Sequence, residues 1–401
     1  MNRIEKLIQE HCPKGVEFRP LGDVVLQSVG GGTPKRGQPE FWNGDIPWAS
    51  VGDLTNTQIW VTETRSTITQ AAVENSSTKV VKAGTLIVAV KIAPGTARIA
   101  ATDIALNQDL RGLVLDPSIS VEFLRYYFDA LSIRGHGTIV KSITNKQLLA
   151  IRVPVPPPEV QREIVKVLDL FTKLEAELEA ELEARRKQYE YYRDQLLTFP
   201  EDGGATWAEL GSVVEYINGK AHEKFVSPDG TIPLVTARFI SRNGEANRWV
   251  RPEDVLTPAM KDDVALVLSD LPNGRALART FFVKDSGSFA INQRVAILRT
   301  KATDKLLPRF LFFVMDRNRQ LLRFDNGTDQ THLKKGAVQK LLLPLPPIGE
   351  QARIVEILDK FDALVNDLSS GLPAEIEARR KQYEYYRDKL LSFKELESDA
   401  A

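Results

Sequence analysis

The feature that most constrains this chain is an internal repeat. The stretch EARRKQYEYYRDQLLTF at residues 183–199 returns as EARRKQYEYYRDKLLSF at residues 377–393, with 15 of 17 positions identical. Repeats at a constant spacing determine the architecture of a chain before any local pattern does. The remaining matches keep the same order at an offset of about 190 residues, and they pair 154–174 with 344–364, 137–154 with 327–344, 106–109 with 291–294, 44–48 with 230–234, and 20–25 with 209–214. The chain is therefore a tandem duplication.

The two copies have diverged unevenly. The Pro-rich segments and the helical segments after them are nearly the same, whereas the blocks that precede them share only scattered anchors. We infer two binding tasks, one that both halves share and one on which they differ.

Each block has the pattern of a compact α+β domain rather than of alternating βαβ units. Short apolar runs bounded by Gly, Pro or Asp predict strands, and longer stretches with helical spacing predict helices. The expected strands are 85–90, 265–270 and 294–300, and the expected helices are 120–131, with Ser120 as N-cap, and 307–323.

Each Pro-rich segment is expected to end a domain, because Pro disfavours helix in the residue before it and removes a backbone donor. A long spacer helix is expected to follow. From Glu159 to the residue before Pro200 there is neither Pro nor Gly. A helix of about 40 residues would be roughly 60 Å long, which exceeds the diameter of either block. The second spacer is interrupted at Ser370, Gly371 and Pro373.

Leucines recur every four residues along both spacers, at Leu174, Leu178 and Leu182 and at Leu364, Leu368 and Leu372, followed by Ile376. Taken alone, such a leucine stripe is typical of a solvated helix with one apolar face. Two spacers in one chain favour antiparallel pairing as a coiled coil with pseudo-twofold symmetry. The residues expected in helix pairing and partner docking are Leu178, Leu182, Tyr189, Tyr192, Leu196, Leu372, Ile376, Tyr383, Tyr386 and Leu390.

Composition limits the class of protein. The formal net charge is zero, which tells against a simple basic DNA-binding protein, although 1–150 and 200–343 carry a small positive excess. No apolar run is long enough for a membrane helix, and the first residues lack the pattern of a signal peptide. Cys12 is the only cysteine, so neither an intramolecular disulfide nor a thiolate zinc cage is possible. We expect a cytoplasmic location.

No catalytic motif is recognisable. The Gly-rich stretch 30–38 ends in Gln38 where a phosphate-binding loop requires Lys. The four histidines, at 11, 136, 222 and 332, lie far apart in sequence without metal-ligand spacing. Neither a nucleophile elbow nor a kinase loop is present. We expect no catalytic residue and no metal site.

The repeated elements resemble a known family. PLPPIGEQARIVEILDKFDAL followed by EARRKQYEYYRDKLLSF, both present twice, resembles the specificity subunit of type I restriction-modification systems. GGGTPKRGQPEFWNGDIPWASVGDL (30–54) and LNQD (106–109) look like the target-recognition domain of that family. The resemblance covers almost the whole chain.

The resemblance implies a non-catalytic subunit with two target-recognition domains, each of which binds one half of a split, asymmetric sequence in double-stranded DNA. It implies paired helices that hold these domains apart and bind two methyltransferase (modification) subunits, which restriction subunits (translocase and nuclease) join. S-adenosylmethionine, ATP and Mg would then belong to the partner subunits, and this chain would carry no cofactor.

The expected fold is α+β, with two tandemly duplicated α/β target-recognition domains separated by two long antiparallel helices. Its segments are a first recognition domain at 1–153, a first Pro-rich segment and spacer helix at 154–199, a second recognition domain at 200–343, and a second Pro-rich segment and interrupted spacer at 344–401.

The four-residue period of the spacer suggests a ruler. Four helical residues advance about 6 Å and over-rotate by about 40°, whereas one base pair advances about 3.4 Å and turns about 34°. Our hypothesis is that one more LEAE unit after Leu182 lengthens the unread gap in the DNA by about one base pair.

Base contacts require Arg, Lys, Asn or Gln, and phosphate contacts require Lys, Arg and small hydroxyls. In the first domain the candidates are Thr33, Lys35, Arg36, Trp48, Ser50, Asp53, Lys91, Asn107, Gln108, Lys141, Ser142 and Asn145. In the second domain they are Lys220, Lys224, Thr236, Arg238, Arg275, Asn292, Gln293, Arg294, Thr331, Lys334 and Lys335. Two alternatives stay open, since Asn107 and Asn292 could instead hold turns and Trp48 could belong to the core.

Two other classes of function stay open at this point. A helical scaffold that bridges two identical partners without contacting DNA would fit the neutral charge, but it leaves the divergence of the two blocks unexplained. A stand-alone methyltransferase or nuclease would bind S-adenosylmethionine or a divalent metal by itself, which a calorimetric titration would detect.

Overall fold

The structure, a computed structural model, describes residues 3–57, 59–131, 133, 135, 141–200, 203–271, 276–325, 327, 329–366 and 370–396. Arg275 and Leu368 lie outside the described residues. No helix in the described ranges combines the length and the apolar character that crossing a membrane requires.

The first block contains short strands and short helices, as its sequence predicts. The strands are β1 Phe18–Pro20, β2 Val25–Gly30, β3 Trp42–Ala49, β4 Trp60–Val61, β5 Thr67–Ile68, β6 Lys79–Val81, β7 Leu86–Ala89, β8 Ala97–Ala100, β9 Ile104–Leu106, β10 Leu110–Leu115 and β11 Arg152–Pro154. The helices are α1 Arg3–His11, α2 Val51–Thr55, α3 Gln70–Glu74, α4 Val121–Ala130 and α5 Asn145–Leu149, with 3-10 turns at Leu21–Val24 and Pro39–Phe41.

The spacer after this block is α6 Pro158–Leu196, a continuous helix of 39 residues. Its length agrees with the stretch from Glu159 to the residue before Pro200, which contains neither Pro nor Gly. The predicted N-cap of α4 is also confirmed, since Ser120 Oγ accepts a hydrogen bond from the backbone N–H of Phe123 at 3.0 Å.

The second block and its spacer repeat this plan. The strands are β12 Thr206–Glu209, β13 Val214–Asn218, β14 Ile232–Val235, β15 Trp249–Val250, β16 Val264–Val267, β17 Ser269–Asp270, β18 Thr280–Phe282, β19 Ala290–Ile291, β20 Val295–Thr300, β21 Thr331–His332 and β22 Leu342–Leu345. The helices are α7 Leu210–Val213, α8 Ala237–Ser241, α9 Pro308–Met315, α10 Arg319–Leu322, α11 Lys335–Gln339, α12 Ile348–Asn366 and α13 Leu372–Leu391, with 3-10 turns at Glu223–Phe225 and Pro252–Asp254.

One predicted helix is wrong in its extent. The stretch 307–323 forms α9 and α10 with a break between them, because Arg317 adopts a left-handed φ of 53°. Its backbone N–H donates to the carbonyl of Ala278 at 2.7 Å instead of continuing the helix. Asn318 then caps α10 by accepting from the backbone N–H of Gln320.

The sheets of the two blocks correspond strand by strand. The order β2-β10-β7-β8-β4 in the first block answers β13-β20-β16-β18 in the second. A parallel pair, β3 with β9, answers β14 with β19, and the pair β1 with β11 answers β12 with β22. The α+β architecture with two duplicated domains and long helices is thereby confirmed.

The chain divides into two compact units, Met1–Glu177 with Glu377–Ala401, and Leu178–Ile376. Each unit therefore contains one block, the first part of the spacer that follows it, and the last part of the other spacer. The division falls inside α6 and just before residue 377 in α13.

Each unit has a core in which α-helices cover the sheet. In the first unit, Phe123 and Leu124 of α4 cluster with Ile164 and Leu168 of α6, and Leu390 of α13 joins them. In the second unit, Phe310 and Leu311 of α9 cluster with Ile354 and Leu358 of α12. The half-buried Leu196 at the end of α6 packs against this second cluster.

Candidate nucleic-acid interface

The candidate site of each block lies where its parallel strand pair ends. In the first block, the backbone N–H of Asn107 donates to the carbonyl of Ala49 at 3.0 Å, just beyond β9 and at the end of β3. In the second block, the N–H of Asn292 donates to the carbonyl of Val235 at 3.1 Å. The register Ala49 with Leu106 and Val235 with Ile291 makes the two sites equivalent residue by residue.

Several predicted residues of the first block converge at this edge. Thr33 Oγ1 hydrogen-bonds to Gln108 Oε1, and Lys91 Nζ lies 3.3 Å from Asp109 Oδ1. The backbone of Lys91 forms an isolated β-bridge with the backbone of Ser142, which follows Lys141. Polar and basic groups from four distant parts of the sequence therefore share one surface.

Two further basic side chains, Lys35 and Arg36, lie exposed in the loop between β2 and β3. The carbonyl of Lys35 accepts from Trp42 Nε1 at 3.2 Å, which fixes the backbone of this loop. Asn145, the first residue of α5, accepts a hydrogen bond from Ser28 Oγ at 3.3 Å and is half-buried, so it holds α5 against β2.

The Gly-rich stretch explains how this loop approaches the site. A Cβ on Gly31 would lie 2.2 Å from the carbonyl oxygen of Asn107. In the second block, a Cβ on Gly219 would lie 2.0 Å from the carbonyl oxygen of Asn292. Only Gly allows the chain to pass this close to the end of the neighbouring strand.

Five predicted contacts with DNA need correction, because their side chains are buried: Trp48, Asp53, Asn107, Asn292 and Thr331. Trp48 packs edge-to-face on Trp42 and donates from Nε1 to the carbonyl of Gly32 at 3.1 Å. Asn107 Oδ1 accepts the N–H of Asp109, and Asn292 Oδ1 accepts the N–H of Gln293, so both hold turns. Thr331 lies in β21, paired with Asp270.

Asp53 instead organises a small network. Its Oδ2 accepts from the N–H and Oγ of Ser50 at 2.8 and 2.6 Å, and its Oδ1 accepts from the N–H and Nε of Arg65 at 3.1 and 3.0 Å. Burial acts to raise the pKa of Asp53, but these hydrogen bonds outweigh it and hold the pKa below its ordinary value. Asp53 is thus an anchor for Arg65, a residue that the sequence pattern did not single out.

The second block has a cleft of about 420 Å³ at the equivalent place. Arg238, Arg248 and Arg294 line it together with Gln293. Glu223 accepts from Asn292 Nδ2 at 3.0 Å, and this hydrogen bond is the main reason that the pKa of Glu223 lies below its ordinary value. Among the described residues, none of the three guanidinium groups forms an ion pair.

The remaining candidates of the second block surround this cleft or lie on the neighbouring surface. Thr236 caps α8 by accepting from the N–H of Phe239 at 3.1 Å. The backbone of Lys220 forms an isolated β-bridge with that of Asn292. Lys224 Nζ lies 4.8 Å from the ring centroid of Phe225. Lys334 and Lys335 are exposed at the start of α11, where Lys335 Nζ lies 5.4 Å from the ring of Tyr216.

One buried interaction is preserved by different side chains. In the first block, the carbonyl of Gly32 accepts from Trp48. Lys220 is the equivalent of Gly32 in the second block, because the N–H of Gly32 donates to the carbonyl of Leu106 and the N–H of Lys220 donates to the carbonyl of Ile291. His222 Nδ1 lies 2.7 Å from the Lys220 carbonyl, while its Nε2 accepts the N–H of Leu256 at 2.9 Å. The imidazole is therefore neutral with the proton on Nδ1, and burial lowers its pKa.

The helix ends pack on the opposite spacer within each unit, antiparallel as expected. In the first unit, Phe171 of α6 contacts Tyr383 and Tyr386 of α13, with centroid distances of 6.3 and 5.6 Å. In the second unit, Phe361 of α12 contacts Tyr189 and Tyr192 of α6 at 6.4 and 5.7 Å.

The expected stripe is only partly buried. Leu372, Ile376 and Leu390 are buried, and Leu178 and Leu182 are half-buried. Tyr192 and Tyr386 pack on the opposite spacer but stay 42% and 37% exposed.

Sequence reasoning also missed one buried glutamine near the start of each spacer. Gln161 Nε2 donates to the carbonyls of Ser118 and Pro156, and its Oε1 accepts from the N–H of Ser120 at 2.7 Å. Gln351 repeats this, with donation to Lys305 and Pro346 and acceptance from the N–H of Leu307 at 2.9 Å. The Gln of the repeated Pro-Pro-x-x-x-Gln motif therefore joins each spacer to the start of α4 or α9.

Comparison with known proteins agrees with this geometry. The family described as "Type I restriction modification DNA specificity domain" matches residues 13–184 and again residues 205–378. The EcoR124I/EcoR124II type I restriction enzyme specificity subunit of Escherichia coli is 34% identical over 261 residues, which cover 60% of this chain and 63% of that protein. A putative type I specificity subunit of Haemophilus influenzae is 33% identical over 264 residues, covering 63% of this chain and 66% of that protein. Each alignment thus spans just under two thirds of the relative's length.

A solved structure shares the fold over a longer range. A chain of a type I restriction-modification system, determined to explain complex assembly and conformational transition, superposes with a TM-score of 0.63 at 19% identity. The superposition covers 94% of this chain and 98% of that chain. The family matches both halves of the duplication, and this chain belongs to the type I restriction-modification DNA specificity family.

Proposed function

We propose that this chain is the sequence-specificity subunit of a type I restriction-modification complex. Each recognition domain binds one half of a bipartite, asymmetric sequence in double-stranded DNA. The paired helices set the gap between the half-sites and dock two methyltransferase subunits, which restriction subunits join.

One observation carries the proposal: the buried glutamine and the Phe-Tyr stack of the scaffold recur in both units, while the side chains at the candidate edge differ. Gln161 and Gln351 make the same three hydrogen bonds, and both Phe-Tyr stacks recur. At the edge, by contrast, Asp109 stands beside Gln108 where Arg294 stands beside Gln293. Such a division fits two domains that serve identical partners but contact different bases.

The repeated tyrosines supply a surface for these partners. Tyr191 and Tyr385 are 61% and 63% exposed, and each packs edge-to-face against the next Tyr in the chain. Exposed aromatic residues of this kind are enriched in protein interfaces. Because both patches have the sequence KQYEYYRD, one type of partner fits both.

The proposal includes a cytoplasmic location, where the complex meets DNA, and no catalytic residue in this chain. S-adenosylmethionine, ATP and Mg belong to the methyltransferase and restriction subunits. Loss of activity in a variant of this chain would therefore reflect lost DNA binding or lost assembly.

The proposal is tested by selection from a random duplex library with the chain co-purified with its methyltransferase. We expect enrichment of a split, non-palindromic motif with a fixed gap, and exchange of one recognition domain should change one half only. Binding without any enriched sequence would reject the specificity function and would favour a scaffold.

Partner docking is tested by the subunit ratio of the purified complex. Tyr191→Ser and Tyr385→Ser should each remove one methyltransferase per chain, and the double variant should remove both. Phe324→Ser is the control, because Phe324 is 54% exposed on the second block, away from the repeated helices in sequence. An unchanged ratio in the double variant would reject this surface.

A further inference from the structure

Arg65 occupies a position that depends on the absence of a side chain at Gly52. A Cβ on Gly52 would lie 2.2 Å from Arg65 Nη2 and 2.7 Å from its Cζ. The guanidinium therefore lies directly over the second residue of α2. The loop that carries it is also fixed, because the N–H of Trp48 donates to Thr64 Oγ1 and to the Ser66 carbonyl at 3.2 and 3.0 Å.

The hydrogen bonds of Arg65 leave one edge of the guanidinium free. Its Nε donates to Asp53 at 3.0 Å, and its Nη2 donates to Ser50 Oγ at 2.8 Å. A guanidinium has five N–H groups, so one on Nη2 and both on Nη1 remain. The side chain is 64% exposed, whereas that of Asp53 is 4% exposed. The exposed donors therefore lie next to Ser50, which directly follows Ala49, and the carbonyl of Ala49 accepts the N–H of Asn107 at the candidate edge.

This arrangement suits a base better than a phosphate. The O6 and N7 of guanine accept two donors that lie in one plane, as a fixed guanidinium presents them, whereas a phosphate is also bound well by a mobile cation such as Lys. A buried carboxylate that holds the plane before binding lowers the entropy lost on binding. Asp53 and Ser50 provide this fixation.

The second domain places an arginine at the equivalent position of the chain. Ser50 and Thr236 are the N-caps of α2 and α8, so Gly52 and Arg238 are both the second helical residue. Arg238 is exposed and lines the cleft with Gln293 and Arg294. In the first domain, Arg65 thus reaches over Gly52 of α2 from another loop. In the second domain, Arg238 of α8 itself supplies the guanidinium.

We propose that Arg65 is a specificity-determining residue of the first recognition domain and contacts a guanine in the major groove, with Asp53 as its positioning residue. Arg238 takes the same place in the second domain. This inference rests on the proposed function, and it adds the base, the residue and the support for that residue.

The test uses the complex with methyltransferase and the duplex selected by the wild-type chain. Arg65→Ala should weaken binding to this duplex roughly 10- to 100-fold and relax one position of the first half-site only. Replacing that guanine by 7-deazaguanine should weaken the wild type similarly and should add nothing to Arg65→Ala. Arg238→Ala should relax a position in the second half-site only.

Gly52→Ala displaces the guanidinium without removing its charge. We expect it to relax the same base position as Arg65→Ala while the variant still folds, because the higher helix propensity of Ala offsets part of the lost ion pair with Asp53. The matched control is Lys82→Ala, which removes an exposed cation paired with Asp103 at the opposite end of β9. The control should leave affinity and sequence preference unchanged.

The outcomes separate the two proposals. If the wild type selects no sequence, the proposed function itself fails. If the wild type selects a split motif but Arg65→Ala keeps the same motif, or loses affinity equally for all sequences, the base contact of Arg65 is refuted while the proposed function stands.

Discussion

Phe171 and Tyr386 stack with ring centroids 5.6 Å apart and planes inclined by 26°. Phe361 and Tyr192 repeat this stack at 5.7 Å and 27°. The two pairs occupy equivalent places in the two units. The repeated Tyr-rich element therefore ends each spacer and also packs on the Phe of the opposite spacer.

Removing one ring of a stack should destabilise the unit that contains it. For Phe171→Ala we expect a loss of about 2 kcal/mol in the free energy of unfolding, since Phe171 is half-buried and contacts two tyrosines. Urea denaturation measures this loss. Leu174→Ala, at a position 40% exposed one turn further on, should cost about 0.5 kcal/mol or less. Equal losses for the two variants would contradict a stabilising stack.

Gln161→Met should be more harmful than the similar shape of the side chains suggests. It removes the partners of two carbonyls and of one N–H, and each unsatisfied buried group costs about 1–3 kcal/mol, giving a total of roughly 3–5 kcal/mol. The measurement is chemical unfolding, with Gln351→Met as the equivalent change in the second unit. Gln195→Met, exposed on the same helix, is the control and should be nearly neutral. A near-neutral Gln161→Met would show that the three hydrogen bonds contribute little.

His222 makes the second unit sensitive to acid. The imidazolium cannot accept the N–H of Leu256, and burial lowers the pKa of the folded state below the ordinary value of about 6.5. The contribution of the neutral ring is complete above the unfolded pKa and declines as the pH falls from there towards the folded pKa. The melting temperature of the wild type should therefore fall more steeply between pH 7 and about pH 5 than that of His222→Gln. Exposed His11→Gln is the control, and parallel curves for wild type and His222→Gln would contradict the assignment.

The spacer should act as a ruler for the DNA target. Inserting one LEAE unit after Leu182 adds about 6 Å of helix, and we expect the unread gap to grow by about one base pair. Selection from a random duplex library measures the gap, and both half-sites should keep their sequences. Insertion of two units should extend it by about two base pairs. A gap that stays constant in both insertion variants would reject the hypothesis.

The amino-acid sequence determined the duplication, the 39-residue helix, the N-cap of α4 and the family, because these depend on order and period along the chain. It also singled out Asn107 and Gln108 with their equivalents, from residue type and from the repeated segments 106–109 and 291–294. It also predicted that the tyrosines at the ends of the spacers take part in antiparallel pairing, but it did not identify Phe171 and Phe361 as the rings that they contact, because these residues lie in distant parts of the sequence.

Only the tertiary structure decided which polar residues at the edge are exposed. Trp48, Asn107 and Asn292 are candidate base contacts by residue type, but burial and hydrogen bonds to neighbouring backbone give them structural roles. Arg65 carries no local motif, and its importance follows from a buried carboxylate 12 residues away at Asp53. Burial and hydrogen-bond partners depend on segments that meet only in the folded chain, so residue type and spacing alone cannot assign them.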